Sequence, residues 1–406
     1  MPPSKSMAHR AILCAALSGG NCTARNLSLS ADIEATLGAV AAMGFPLVFS
    51  GGELHAGGKP TPVTQAQIDC GESGSTLRFL IPIAAALGIN ATFTGRGKLP
   101  ERPLKVYLDL LPQHGVSCQS QGGLPLTIAG RLTPGAYALP GNVSSQFITG
   151  LLFALPLLAG DSTLTLTSPL ESAGYVELTL SILKEYGIKT ERIENGWRIP
   201  GGQTYRPRDY TVEGDWSQAA FFLAGAALNG ELALWGLNRD SQQGDRAIAD
   251  LLEQFGARLF WKDRALYAQR SELHGIEIDA AQIPDLVPIL AVTAAFATGH
   301  TRIFHAERLR LKESDRLAAM QQGLSRLGAK VQITPDGLVI CGSPTLSGGK
   351  ICGYNDHRIV MSFAIAALRT CQSITVSDAE SVRKSYPNFW EDYRKLGGNA
   401  NVLNLG

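Results

Sequence analysis

Side chains able to grip or protonate an anion gather at a few places in this sequence. Lys5, Ser6 and Arg10 sit in PPSKSMAHR (2–10), Ser73, Gly74 and Ser75 in ESGSTLR (72–78), and Arg102 in KLPERP (98–103). Ser144, Ser145 and Gln146 follow in VSSQ (143–146). Later come Asp285, then Lys312, Glu313, Asp315 and Arg316 in LKESDR (311–316), Asp356, His357 and Arg358 in NDHR (355–358), and Lys384 in RKSYP (383–387). Free backbone N–H groups at a helix start, with hydroxyls and Lys or Arg beside them, are chemistry for phosphates and carboxylates. A carboxylate in the same neighbourhood adds a proton donor or acceptor.

Each segment also has a plainer reading. Ser and Thr cap helices for structural reasons alone, and LKESDR reads as a solvated, self-paired face. Asp356 with Arg358 reads as a structural ion pair, Asp285 as an N-cap, and Lys384 as surface charge. Their order along the chain adds weight. Ser4, Ser73, Ser144, Asp215, Asp285 and Asn355 each open a long apolar run, at a step of about 70 residues. Amphipathic segments ending on Gly44, Gly115, Gly187, Gly256, Gly328 and Gly397 keep the same step of about 70. The chain is therefore read as six copies of one supersecondary unit, with its basic side chains beside the helix openings.

The elements that must position these residues follow from the hydrophobic pattern. Runs such as SSQFITGLLFALPLLAG (144–160) and DLVPILAVTAAFATG (285–299) have no polar face and are expected as buried helices. GYVELTLSILKEYG (174–187) and ESDRLAAMQQGLSRLG (313–328) alternate apolar and charged residues at helical spacing, so half-exposed helices are expected there. Arg102 with Pro103 is expected to open the outer helix of copy two, and LKESDR that of copy five. Short alternating runs such as STLTLTS (162–168) and AKVQIT (329–334) read as strands. The result is an α/β unit of two helices and several strands.

A chain of 406 residues exceeds what one core supports, which points to two domains of about 200 residues with three copies each. The Gly-, Pro- and Arg-rich stretch 201–215 holds the junction, placed near 211–213. A cleft between two such globules is an expected ligand site. Apolar content of 45% with 17% charged residues excludes disordered and fibrous classes. A net charge of +1 gives no global attraction for nucleic acid or acidic membrane, so neither is expected as a partner and any anion binding must be local. Seven scattered cysteines, without a C-x-x-C pair, indicate neither a disulfide framework nor a zinc site, and suit a reducing cytoplasm. Lys5, His9 and Arg10 precede an apolar stretch as in a signal peptide, but that stretch is one of six alike and belongs to the fold. No run reaches the ~18 apolar residues of a membrane span. P-loop, G-x-G-x-x-G and H-E-x-x-H patterns are missing, so nucleotide, dinucleotide and metal chemistry have no support in the sequence.

PPSKS with Arg10, S-G-S-T-L-R, E-R-P, S-S-Q-F, K-E-S-D-R, Y-N-D-H-R and K-S-Y-P, in this order and across essentially the whole chain, closely resemble the 5-enolpyruvylshikimate-3-phosphate synthase family. That resemblance implies transfer of the enolpyruvyl group of phosphoenolpyruvate to the 5-hydroxyl of shikimate 3-phosphate, in aromatic amino-acid synthesis, with no cofactor and no metal. It implies two similar globules, each of three βαβαββ-type units around buried helices (an inside-out α/β barrel), with the active site in the cleft between them. The globules are expected at 5–212, the shikimate 3-phosphate side, and at 213–406 with 1–4, the side of the phosphoenolpyruvate carboxylate. A monomer is expected.

Residue by residue, the resemblance assigns Ser6 and Arg10 to the shikimate carboxylate and Ser144, Ser145 and Ser172 to the 3-phosphate. Gln146 and Tyr175 flank the ring, and Asp285 and Lys312 stand near its hydroxyls. Lys5, Gly74, Arg102, Gln146 and Lys384 are implied around phosphoenolpyruvate and its phosphate, Arg316 and Arg358 at its carboxylate. Asp285 is implied as the base toward the 5-hydroxyl and Glu313 as the acid toward the methylene carbon, with Lys5 as a third catalytic group. Three departures stand out. A strand of about fifteen residues usually precedes the PPSKS-type motif, so the expectation is that either one strand of the C-terminal globule is missing or the start codon is misassigned. Glu72 stands where Asn is common, adding negative charge near the expected phosphate. Arg308 stands where some members use Asn beside the ring and is not counted as a site residue. The sister family that transfers enolpyruvyl to a UDP-linked amino sugar carries a Cys in the loop before the helix-opening Arg, and TGRGKLPER (94–102) has none.

Overall fold

The computed structural model describes residues 1–57, 60–61 and 63–403. Among them are twelve α-helices: α1 Lys5–Ser18, α2 Ala31–Ala42, α3 Gly74–Leu87, α4 Lys105–Leu110, α5 Ser145–Ala154, α6 Ala173–Glu185, α7 Trp216–Asn229, α8 Ala247–Gln254, α9 Val287–Ala295, α10 Arg316–Arg326, α11 His357–Ala366 and α12 Phe389–Lys395. The odd-numbered helices are the six apolar runs, buried over nearly their whole length; the even-numbered ones are half-buried covers. All six glycines of the second series lie at positive φ, between 80° and 100°, the left-handed region that lets each outer segment end and turn back.

The repeat is β-α-β-α-β-β. In copy two, strand Gln65–Asp69 runs parallel to Asn90–Thr94, which pairs antiparallel with Leu126–Gly130 and through it with Val116–Gln119. Copies three and five have the same four-strand order. In copy one the leading position is filled by Tyr210–Thr211, parallel to Cys22–Arg25, so the chain returns to close its first sheet. Among the described residues, copy four has three strands and copy six two, Gly349–Ile351 beside Ile374–Val376. Strand burial alternates, as in Gln65–Asp69, so each such sheet turns one face to a helical core.

Two compact units result. One comprises Pro3–Gly214 with Asp240–Gly244, the other Met1–Pro2, Asp215–Arg239 and the chain from Asp245 onward. Each has its own hydrophobic core, the first built on α1, α3 and α5, the second on α7, α9 and α11. No helix among the described residues is long and apolar enough to cross a membrane.

Two helix starts differ from the sequence expectation. Arg102 does not open the outer helix of copy two: it ends a 3-10 turn, Leu99–Glu101, and α4 begins only at Lys105, because Pro103 and Leu104 interrupt the path. LKESDR is not one continuous helix start either. Lys312 closes a 3-10 turn, Glu307–Leu311, and α10 begins at Arg316 behind the Asp315 cap, whose carboxylate accepts from Ala318 N at 3.0 Å.

Candidate active site

In the N-terminal unit the candidate residues other than Arg102 stand at the opening turns of α1, α3, α5 and α6, where backbone N–H groups are free of intrahelical partners. Arg10, one turn into α1, is buried; its Nε donates to Thr179 Oγ1 (2.9 Å) and its Nη2 to the Tyr175 carbonyl (2.8 Å), both on α6, while Nη1 donates to the Ser6 carbonyl (2.6 Å). Burial lowers the Arg10 guanidinium to about 10, the larger influence over nearby acidic groups, and it stays charged at neutral pH. Its guanidinium also lies 5.3 Å from the Phe79 ring centroid. Lys5 Nζ pairs with Asp32 Oδ2 at 2.7 Å, and the Asp32 carbonyl lies 3.5 Å from Thr76 Oγ1 in the first turn of α3. Ser73 caps that helix, accepting from Thr76 N at 3.2 Å.

Gly74 follows the cap, and its lack of a side chain matters. A Cβ there would lie 2.7 Å from Arg102 Nη1 and 2.9 Å from Arg78 Nη1, so only glycine lets both guanidinium groups approach this helix start. Arg78 Nη1 donates to Gln146 Oε1 (2.7 Å), and Gln146 Nε2 donates to Ser75 Oγ (3.1 Å), joining α5 to α3. Ser144 caps α5 through Gln146 N (3.3 Å), Ser145 is its first residue, and Ser172 precedes α6 at φ 55°, a left-handed conformation uncommon for serine. Such backbone strain concentrates where a side chain has to be aimed.

In the C-terminal unit the opening turns of α7, α10 and α11 meet the segment before α9. Arg316, with 1% of its side chain exposed, makes four hydrogen bonds to three carboxylates: Nε and Nη2 to Asp356 (2.8 and 3.2 Å), Nη1 to Asp285 (2.9 Å), and Nη2 to Glu313 (2.7 Å). Burial alone would lower its pKa, but Asp356, Glu313 and Asp285 together outweigh it and raise it. Asp285 also lies 3.4 Å from Lys312 Nζ and 3.4 Å from Arg358 Nη2, and its carbonyl accepts from Arg358 Nη1 at 2.9 Å. Asp356 is fully buried, whereas Asp285 and Glu313 keep 18% and 22% of their side chains exposed. The outward edge of Arg316 is therefore the one these two carboxylates hold. Tyr354 and Asn355 take positive φ (54° and 50°) just before α11, and the Asn355 carbonyl accepts from Lys384 Nζ at 2.6 Å.

The profile of EPSP synthase (3-phosphoshikimate 1-carboxyvinyltransferase) matches residues 1–393 of the chain. The chain belongs to the EPSP synthase family. A 3-phosphoshikimate 1-carboxyvinyltransferase of Clostridium acetobutylicum is 46% identical over 413 aligned positions, spanning 100% of this chain and 96% of that protein. One from Clostridium novyi is 44% identical over 420, with the same coverage of 100% and 96%. Among solved structures, EPSP synthase from Acinetobacter baumannii superposes with a TM-score of 0.82 at 28% identity, covering 98% of this chain and 95% of its own. The enolpyruvyl transferase NikO of Streptomyces tendae, at 18% identity and a TM-score of 0.78 over 98% and 94%, shares the fold.

For a member of the EPSP synthase family, the sequence leaves several positions open that the geometry resolves. Asp285 is not an N-cap: it lies in the 3-10 turn Pro284–Leu286, α9 starts without a side-chain cap, and its carboxylate faces Arg316, Lys312 and Arg358. Asp356 and Arg358 do not form the simple pair their spacing suggests, since the Asp356 carboxylate caps α11 at Arg358 N (2.9 Å) and binds the Arg316 guanidinium instead. Asn355 yields the cap to Asp356. Glu72 lies over Gly97, where a Cβ would collide with its carboxylate, and Arg308 donates to the Ala281 carbonyl at 2.7 Å. Residues that sequence reasoning missed include Asp32, the partner of Lys5, and Arg78, the partner of Gln146. Arg78 was visible in S-G-S-T-L-R but falls inside an apolar run, where it reads as core.

Proposed function

We infer that the chain transfers the enolpyruvyl group of phosphoenolpyruvate to the 5-hydroxyl of shikimate 3-phosphate, releasing inorganic phosphate. The reading is carried by one observation above the rest: the family match extends over residues 1–393, through every anion-ready helix start described above. The N-terminal unit is proposed to take shikimate 3-phosphate. Ser6 and Arg10 serve its carboxylate, Ser144, Ser145 and Ser172 its phosphate, and Gln146 and Tyr175 its ring. The C-terminal unit is proposed to take the phosphoenolpyruvate carboxylate on Arg316 and Arg358. Lys5, Gly74, Arg102, Gln146 and Lys384 serve phosphoenolpyruvate and its phosphate.

In this reading the substrate carboxylate takes the Nη edge of Arg316 and displaces Asp285 and Glu313 from it. Both carboxylates are then available for proton transfer. Asp285, with Lys312 beside it, accepts the proton of the 5-hydroxyl as its oxygen bonds to C2 of phosphoenolpyruvate, while Glu313 donates a proton to C3. The tetrahedral adduct then loses phosphate: the C2–O bond to phosphate breaks, Glu313 recovers a proton from the C3 methyl, and the double bond re-forms. Lys5 supports the leaving phosphate as a fixed cation. All seven cysteines are free thiols, which suits the proposed cytoplasmic setting, and a monomer is the proposed form.

A phosphate-release assay tests this. Release is expected with phosphoenolpyruvate and shikimate 3-phosphate together and with neither alone. Release with UDP-N-acetylglucosamine as acceptor, and none with shikimate 3-phosphate, would move the chain to the sister activity.

A further inference from the structure

Arg358 is held in the first turn of α11 by contacts on two other elements. Besides the Asp285 carbonyl, its partner is Ser217 in the first turn of α7: Arg358 Nη2 donates to Ser217 Oγ at 2.7 Å. A guanidinium only donates, so the serine oxygen must accept here, and its own proton is left to point elsewhere. That proton has an acceptor. Ser217 Oγ donates to Asp245 Oδ2, a buried carboxylate in the 3-10 turn Gly244–Arg246 that leads into α8. The direction of both hydrogen bonds is thereby fixed, from Arg358 to Ser217 to Asp245. None of the roles given above uses Asp245 or Ser217.

We propose that Asp245 is a positioning residue for Arg358: by accepting the Ser217 proton it turns the serine lone pairs toward the guanidinium and so fixes the plane in which Arg358 meets the carboxylate of phosphoenolpyruvate. The inference rests on the reading that Arg358 binds that carboxylate. A serine hydroxyl without such an anchor rotates freely. With Asp245 ionised, the relay has one donor for each acceptor. With Asp245 protonated, its own O–H donates and competes for the oxygen that Arg358 needs. The charged groups that act on Asp245 include Arg358 on α11, Asp285 before α9 and Asp215 at the start of α7, and Arg246 follows it in its own turn. Burial first, and Asp285 next, push the Asp245 carboxyl up to about 6, against the opposing pull of Arg358 and Ser217. The relay is accordingly intact above about pH 6 and loosens below it.

Steady-state kinetics of the full chain carrying Asp245→Ala, Asp245→Asn or Ser217→Ala, with Arg358→Lys as comparator, test the proposal. Asp245→Ala and Ser217→Ala are each expected to raise KM for phosphoenolpyruvate about tenfold, with kcat within about threefold and KM for shikimate 3-phosphate within about twofold. Asp245→Asn keeps an oxygen that accepts the Ser217 proton, so its KM should return to within about threefold of the parent. It should also lack the part of the KM rise below about pH 6 that the parent owes to Asp245; the substrate's own phosphate titrates equally in both. An unchanged KM in Asp245→Ala and Ser217→Ala, alongside a raised KM in Arg358→Lys, would overturn the proposal, as would equal losses in kcat and in both KM values. An unchanged KM in Arg358→Lys would instead remove Arg358 from the carboxylate site. If Asp245→Ala fails to fold, Ser217→Ala and the pH profile of Asp245→Asn decide the question.

Discussion

Replacing Asp356 by asparagine changes almost no volume, yet it should be among the most damaging single changes in the C-terminal unit. The two Asp356 oxygens accept four hydrogen bonds: Arg316 Nε (2.8 Å), Arg316 Nη2 (3.2 Å), Ser314 Oγ (2.9 Å) and the Arg358 backbone N–H (2.9 Å). An asparagine amide supplies one accepting oxygen and one nitrogen that only donates, through two N–H groups. With its nitrogen in place of Oδ2 it faces Arg316 Nε, and with its nitrogen in place of Oδ1 it faces both Arg316 Nη2 and the Arg358 N–H. Neither flip satisfies the site. Breaking a buried ion pair costs about 3 to 5 kcal/mol, and Arg316 keeps Asp285 and Glu313, so about 3 kcal/mol is expected. With a urea slope of about 2 to 3 kcal/mol per molar for a unit this size, the midpoint should fall by about 1 M. Four of the five tryptophans lie in this unit (Trp216, Trp235, Trp261 and Trp390), so fluorescence reports its unfolding. KM for phosphoenolpyruvate should rise as well, because Arg316 loses the anchor behind it. A midpoint within about 0.2 M of the parent, with KM unchanged, would refute the view that Asp356 is what fixes Arg316.

Gly74→Ala should raise KM for phosphoenolpyruvate at least about tenfold while shifting the unfolding midpoint little, because the atoms nearest the new Cβ are the movable ends of the Arg102 and Arg78 side chains. Asp285→Ala and Glu313→Ala should each lower kcat by at least ~100-fold in the phosphate-release assay, and near-normal turnover in either removes that residue from proton transfer. His9 is buried, and burial first, then Lys5 and Arg10, hold its pKa well below 6.5. The unfolded chain therefore binds a proton that the folded one refuses, so stability falls as pH drops through 6.5, by about 2 kcal/mol between pH 7 and 5. His9→Gln should show a pH 7 to pH 5 loss smaller by about that amount in urea titrations, and an identical loss would contradict the assignment.

The six-copy plan was legible because a helix buried on all sides can carry no polar stripe, and six such runs at one spacing are hard to produce otherwise. Ser73, Ser144 and Asp215 do cap the helices they precede. Ser4 makes no side-chain cap, Asp285 points its carboxylate at three cations, and Asn355 gives way to Asp356. A small polar residue before an apolar run looks the same in sequence whether it satisfies its own helix or a neighbour's guanidinium. The choice depends on residues 31 to 141 positions away, such as Arg316 for Asp285 and Ser217 for Arg358. The start of α4 was misread because Pro103 favours a first turn, while Leu104 before Lys105 takes the role of entry residue. Asp245 carried no signal of its own, since QQGDR has the look of a polar loop.

The core of this account is that Ser6, Arg10, Ser144, Ser145 and Ser172 hold shikimate 3-phosphate, whereas Arg316 and Arg358 hold the phosphoenolpyruvate carboxylate. Calorimetric binding of shikimate 3-phosphate to the Ser145→Ala and Arg358→Lys variants tests that division most directly. Ser145→Ala should weaken binding at least about tenfold, while Arg358→Lys should leave it within about twofold of the parent. The reverse pattern would contradict the account.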